Sequence, residues 1–418
     1  MTSTSGRSST SAERVIADTF RAEWGRLLSL LVARSRRLDL AEDALSEAFA
    51  RASASWPEHR VPDNPVGWLY TTAWRVIVGR LRAEAVAGRK VPLLVVGPGW
   101  VPAPNPEEFD ALDDERLQLI LLCCHPALHP ESRSALALRL VIGTSTEEIA
   151  RLFLVSTATM AARITRAKNK IVAAGIPLSS PAHDELRIRL DEVCRTIYLA
   201  FTAGYTPGSG PQLVRVDLAG DAVRLAAVLH HMVPDAAQAR ALLALLLLQH
   251  ARRDARQRDG RLITLADQDR ALWRDSELRA GLELLTELRP SDGYREELRL
   301  QASIAGEHAR AGAAADTDWR AIAALYGDLE ALTGSPIVRL NRAVAVAEAD
   351  GPFAGLAMLA GLDQALPRNH RVLAVRAELA RRADLIDLAR MCYVEAVEMC
   401  TNETERHHLA ARLAALHE

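Results

Sequence analysis

Lysine is almost missing from this chain. It stands only at Lys90, Lys168 and Lys170, so Arg supplies nearly all the positive charge. The totals, 51 basic against 53 acidic residues, leave a net charge of −2, so bulk charge points to no nucleic-acid or membrane partner and any such signal must be local. Aromatics make up only 5% of the chain, and β-branched alternation is scarce. A sheet-built core is therefore not expected. The longest apolar run, ALLALLLL at 241–248, falls far short of the roughly 20 residues of a membrane span and reads as a buried helix. The N-terminus, MTSTSGRSSTS, has no apolar signal core and reads as a disordered tail over 1–11. Five cysteines form no CxxC pair, which suits reduced thiols in a cytoplasmic protein. No Walker loop, dinucleotide fingerprint, GxSxG or HExxH occurs, so no enzyme class, cofactor or metal is expected. CCHPALHP at 123–130 gathers two thiols and two imidazoles, but adjacent Cys123 and Cys124 diverge by about 100° on a helix and read as buried structural cysteines. The pairs His230–His231 and His407–His408 lack ligand company, and GSGP at 208–211 is a lone turn.

What is present favours helix. Ala, Leu and Arg dominate, and 418 residues exceed one ordinary core. The expected fold is all-α in several domains. Residues 12–87 read as helices with the Pro-rich loop SWPEHRVPDNP at 55–65; 88–112 is a Pro/Gly-dense linker. Residues 113–178 form a second helical unit, and 184–418 a large helical extension. Near 337–402 Ala343, Asp350 and Gly355 recur as Ala377, Asp384 and Ala389, with Tyr393 and Ala396 following. That 34-residue period suits tetratricopeptide-like helix pairs, although Arg339 and Leu373 occupy the usual large aromatic position.

The stretch TEEIARLFLVSTATMAARITRAKNKI, 146–171, reads as a short helix, a corner and a longer basic helix. Glu147 and Glu148 suit a helix start, and Ser156 is a good N-cap for the second helix. Met160, Ile164, Ala167 and Ile171 share one face. Ala158, Ala162, Thr165, Arg166 and Asn169 occupy the opposite face, flanked by Arg163, Lys168 and Lys170. Small residues let a backbone approach a groove floor, Arg and Asn can read guanine and adenine, and flanking cations suit phosphates. A solvated basic face is the competing reading.

GTSTEEIARLFLVSTATMAARITRAKNKI resembles the upstream (−35) element-binding domain of bacterial sigma factors of the extracytoplasmic-function (ECF) type. Leu154 stands at the family's turn glycine, and Ala161 at a position usually polar. LAEDALSEAFARASASW (40–56) resembles the family's polymerase-binding helix, and NPVGWLYTTAWRVIVGRLRAE (64–84) its start-proximal (−10) element helix. The CCHPALHP cluster resembles a subgroup with a long C-terminal tetratricopeptide-like extension, of the DUF6596 kind.

The resemblance implies an alternative sigma factor with no chemistry of its own, whose partners are core RNA polymerase and promoter DNA. It assigns −35 reading to Ala162, Arg163, Thr165, Arg166, Lys168, Asn169 and Lys170. It assigns −10 capture and melting to Trp56, His59, Asn64, Trp74, Arg75, Arg80 and Arg82, with a flipped base held by the loop 55–64. Polymerase contact falls to Asp39, Glu42, Asp43, Ser46 (where Gln is common) and Glu47. The acidic face suits a basic partner. Arg75, Arg80, Arg82, Arg89 and Lys90 against Glu84 leave a local positive surplus suited to phosphates. Gly79 replaces a usual Asp. The extension implies regulation in cis or recruitment of a protein partner. A helix-turn-helix regulator acting at operators without core polymerase, and a scaffold with an incidental basic corner, are the alternatives.

Overall fold

Val32, Leu31, Leu28, Leu27 and Trp24 fall at helical spacing and are all buried, which fixes the inner face of the first helix. A computed structural model describes residues 5–86, 113–153, 155–174, 183–205, 216–258, 261–367, 369–400 and 403–416. The expected linker 88–112 and the corner residue Leu154 lie outside them. The chain divides into two compact units, Met1–Ala203 and Gly204–Glu418.

In the first unit α1 (Ser5–Ser35), α2 (Leu38–His59) and α3 (Pro65–Val86) pack pairwise. Two expectations change here. The helix α1 begins at Ser5, inside the stretch expected to be a disordered tail. Extending an existing helix adds one hydrogen bond per residue fixed, so residues of middling propensity can continue it. Residues 55–59 also belong to α2 rather than to a loop. Pro57 lacks one N–H near the helix end, a loss confined to one bond, while buried Trp56 anchors the last turn. Arg60, at φ 83°, then turns the chain, its N–H bonded to the Trp56 carbonyl at 3.1 Å. Asn64 caps α3, accepting from the Gly67 N–H at 2.8 Å.

Four helices follow: α4 (Asp113–Cys123), α5 (Pro130–Leu140), α6 (Thr146–Leu152) and α7 (Thr157–Ala173). The run Leu119–Cys123 is buried all round, so α4 is a central helix. The helix α8 (His183–Tyr205), expected at the head of the extension, instead packs here. Ser134 of α5 donates to Glu192 at 3.2 Å, the Cys124 thiol meets the Thr196 hydroxyl at 3.5 Å, and Arg189 donates to the Leu121 carbonyl at 3.4 Å.

The second unit comprises α9 (Val216–Met232), α10 (Ala237–His250), α11 (Asp275–Thr286), α12 (Gly293–Arg310), α13 (Trp319–Thr333), α14 (Pro336–Asp350), α15 (Pro352–Met358), α16 (Leu362–Ala365), α17 (His370–Arg382), α18 (Ile386–Met399) and α19 (Glu403–Ala414). The apolar run 241–248 lies in α10, as expected of a buried helix. Among the described residues the fold is all-α except for 3-10 turns and one two-residue antiparallel ribbon, β1 (Gln257–Arg258) with β2 (Arg261–Leu262). No helix among the described residues is long and apolar enough to cross a membrane.

Several residues of the 34-residue recurrence are buried. Ala343, Ala377 and Ala389 are fully buried. A Cβ on Gly355 would lie 2.5 Å from the Ala347 Cβ and 2.7 Å from the Ala343 carbonyl oxygen, so only glycine lets α15 approach α14 this closely. Arg339, in place of the aromatic, donates to the Met358 and Ala360 carbonyls at 3.1 and 3.2 Å and closes the end of α15.

Candidate nucleic-acid interface

The corner helices are built from their caps. Ser145 precedes α6 and forms a capping box with Glu148: the Ser145 hydroxyl accepts from the Glu148 N–H at 3.2 Å, and the Glu148 carboxylate accepts from the Ser145 N–H at 3.0 Å. Ser156 accepts from the Thr159 N–H at 3.2 Å and starts α7. Met160, Ile164, Ala167 and Ile171 are the buried residues of α7, as their spacing requires. Ala162, Thr165, Arg166 and Asn169 face solvent on the other side, with Lys170 beside them.

Two flanking cations are engaged. Arg163 pairs with Glu131 of α5 at 2.9 Å, while the Lys168 ammonium donates to Glu42 of α2 at 2.5 Å. Arg163, Arg166 and Lys170 also line a cleft of about 320 Å³ with His129, Glu131 and Ser132. Its cationic rim suits a phosphate oxygen, which would compete with Glu131 for Arg163.

On α2 every acid of the expected polymerase-facing stripe has a basic partner. Asp39 accepts two hydrogen bonds from Arg37 at 2.9 and 2.7 Å, which hold its carboxyl below the usual carboxylate range. Asp43 and Glu47 both pair with Arg80 of α3, at 3.0 and 3.4 Å. Glu47 also pairs with Arg51, and Glu42 with Lys168. Ser46 is exposed beside them. Exposed ion pairs such as Asp43–Arg80 are worth roughly 0–1 kcal/mol each, so a basic partner can displace them at little cost.

Of the residues expected at the start-proximal element, Arg75, Arg82 and Asn64 are exposed. Arg80 is tied to α2, which reduces the free positive charge of α3. Arg89 and Lys90 lie outside the described residues, as does the His59 side chain. Trp56 departs most from expectation. It is 2% exposed, packed edge to face on Trp68, and its neighbours leave no opening for a base to stack on it in this conformation. Trp74 is half-buried with the Arg34 guanidinium over its ring at 4.6 Å, and Arg34 also donates to the Tyr70 hydroxyl at 2.9 Å. Sequence reasoning overlooked Arg34 because it comes from α1; only tertiary packing brings it to α3.

The Cys123–Cys124 pair is buried, and burial pushes the Cys124 thiol up to about 12, so it is an inert structural thiol. In the second unit His370, Cys400 and Glu405 bring ligand atoms within 4.8 Å of one another. There Glu405 already accepts from Arg371 at 3.1 Å and pairs with His370 at 2.9 Å.

Comparison with known proteins agrees with this geometry. Residues 19–86, spanning most of α1 to α3, match Sigma-70 region 2. Residues 118–171, from α4 into α7, match Sigma-70, region 4. Residues 189–289 match a family of unknown function, DUF6596. An uncharacterized protein of Rhizobium meliloti (strain 1021) is 37% identical over 388 residues, 90% of each chain. No solved structure matches. A region 2 bundle and a region 4 helix-turn-helix in that order, followed by the DUF6596 segment, place the chain in the sigma-70 family of sigma factors, with a C-terminal DUF6596 extension.

Proposed function

We propose that this chain is an ECF-type sigma factor. It binds core RNA polymerase through the α2 stripe of Asp39, Glu42, Asp43, Ser46 and Glu47. Its two DNA-contacting units, 12–87 and 113–178, then engage the −10 and −35 elements. The recognition surface of α7 carries the reading: a capped helix with four apolar residues buried and Ala162, Thr165, Arg166 and Asn169 presented together to solvent. On duplex DNA, Arg166 reads a guanine edge and Asn169 an adenine, while Arg163, Lys168 and Lys170 contact phosphates. Arg75 and Arg82 supply the backbone contacts at the start-proximal element, and Asn64 and His59 serve the opened strand. Neither DNA unit alone makes many contacts, so useful affinity arises when both are tethered on polymerase.

The protein has no catalytic role or cofactor in this reading and works in the cytoplasm. The second unit is a tetratricopeptide-like array, supported by the 34-residue recurrence of buried small residues, and it regulates the sigma units or recruits a protein partner. The reading is tested by adding purified full-length protein to core polymerase and sequencing the transcripts. Discrete start sites sharing two upstream elements are expected. Operator binding without core, with no directed initiation, would favour a conventional helix-turn-helix regulator.

A further inference from the structure

The second unit holds a cavity of about 790 Å³, lined from α12 to α14 and from α17 to α19. The chain bridges one side of it. After β2 the segment passes through 3-10 turns at Leu265–Asp267 and Arg270–Leu272. The last helix, α19, packs on β2, and the first of these turns meets a further turn at Ala314–Asp316. Cavities that take small molecules measure roughly 300–1,000 Å³ and combine an apolar wall with a few polar groups. Here Trp319, Val344, Val375, Leu379 and Leu409 make the wall.

The polar lining is unevenly satisfied. Arg382 pairs with Glu348, and Glu378 accepts from Arg381 and from the Tyr393 hydroxyl, both at 2.7 Å. Asp267, exposed at the rim, accepts from the Thr264 hydroxyl at 2.6 Å. Two guanidiniums have no carboxylate partner among the described residues. Arg270 donates to the His308 and Ala311 carbonyls at 2.7 and 2.6 Å, and Arg412 makes no hydrogen bond or ion pair within that set. Burial and the nearby Arg252 lower the pKa of Arg270, so an anion would be welcome beside it. His308 and His408 also line the cavity, and neither ring has a hydrogen-bond partner among the described residues. Burial lowers both pKa values, so each ring is neutral at pH 7 and offers one donor and one acceptor.

We propose that this cavity binds a small amphipathic carboxylate, with its headgroup on Arg412, its apolar body along the wall, and Arg270 adding positive potential. Asp267 and Glu378 share the lining and repel a doubly charged phosphate more than a single carboxylate. The binding does not depend on the sigma-factor reading and is measured without polymerase or DNA.

The test titrates the full-length chain with anilinonaphthalene sulfonate, an aromatic monoanion, and with N-phenylnaphthylamine, its uncharged counterpart, by dye fluorescence. The anion should saturate a site and bind at least about tenfold more tightly than the neutral dye, as a charge-assisted guanidinium contact requires. Arg412→Gln should remove most of that difference, and Val344→Phe, which fills the cavity, should weaken both dyes. Decanoate should displace the anionic dye, and inorganic phosphate should not. Equal affinity for the two dyes, unchanged binding in folded Arg412→Gln, or displacement by phosphate in place of decanoate would overturn the proposal. If Val344→Phe does not fold, Arg412→Gln decides, because its side chain anchors no other described residue.

Discussion

The indole rings of Trp56 and Trp68 meet edge to face, with centroids 5.5 Å apart and planes 69° apart, and they join the end of α2 to the start of α3. This contact makes Trp56 a structural residue of region 2. Trp56→Ala should lower stability by about 3–5 kcal/mol, read as a fall in the urea midpoint. Trp56→Leu keeps an apolar side chain but no stacking surface. It should still open promoters at temperatures where it is folded, measured by permanganate reactivity of unpaired thymines. Loss of opening in folded Trp56→Leu would return the residue to the melting machinery.

Two classes of contact on α7 separate by salt and sequence dependence. Arg166→Ala and Asn169→Ala should each cost about 1–3 kcal/mol at a matched −35 element and relax preference at one base position. Lys170→Ala should weaken binding evenly across sequences and reduce the slope of log affinity against log salt by about one. Titrations of holoenzyme on promoter variants at several salt concentrations distinguish the two patterns.

Ser156 satisfies a backbone N–H at the head of the recognition helix. Ser156→Ala should cost about 1 kcal/mol of stability, and Ser156→Asp much less, because Asp also accepts at this position. A thermal-melt series checks this order. Equal loss in both variants would place the effect outside the cap.

Acid sensitivity of the second unit should begin above the carboxylate range. Burial, with Arg252 and Arg270 nearby, lowers His308 from 6.5 to about 4. Its folded-state value lies below the unfolded one, so the unfolded chain binds the extra proton first. Stability is full above about pH 6.5 and falls as pH drops toward 4, by at most about 3 kcal/mol from this residue. Burial shifts His230 and His408 the same way. His308→Phe should flatten the slope of unfolding free energy between pH 6.5 and 5 without abolishing it. An unchanged slope would remove His308 from this account.

The helical class and the face of α7 were legible because their signals are local. A 3–4 spacing of Met160, Ile164, Ala167 and Ile171 admits one buried side, and Glu147, Glu148 and Ser156 announce helix starts whatever surrounds them, whereas the Ser145 cap showed only in the structure. The extent of α2 was not legible: Pro57 reads as a loop residue, and only packing of Trp56 on Trp68 carries the helix through it. Charge was the least legible property. Asp43, Glu47 and Arg80 read as two separate surfaces, yet α2 and α3 lie side by side and the charges pair. Glu42 and Lys168 stand 126 residues apart, and nothing local links them. The same holds for Gly25 of α1, where a Cβ would lie 1.5 Å from the Val141 carbonyl oxygen.

The central claim, promoter-specific initiation, is tested most directly by in vitro transcription with purified core polymerase and full-length protein on fragmented genomic DNA. The account predicts discrete start sites that vanish without the protein and shift in preference with Arg166→Ala or Asn169→Ala. The absence of directed transcripts from a protein that is folded and binds DNA would contradict it.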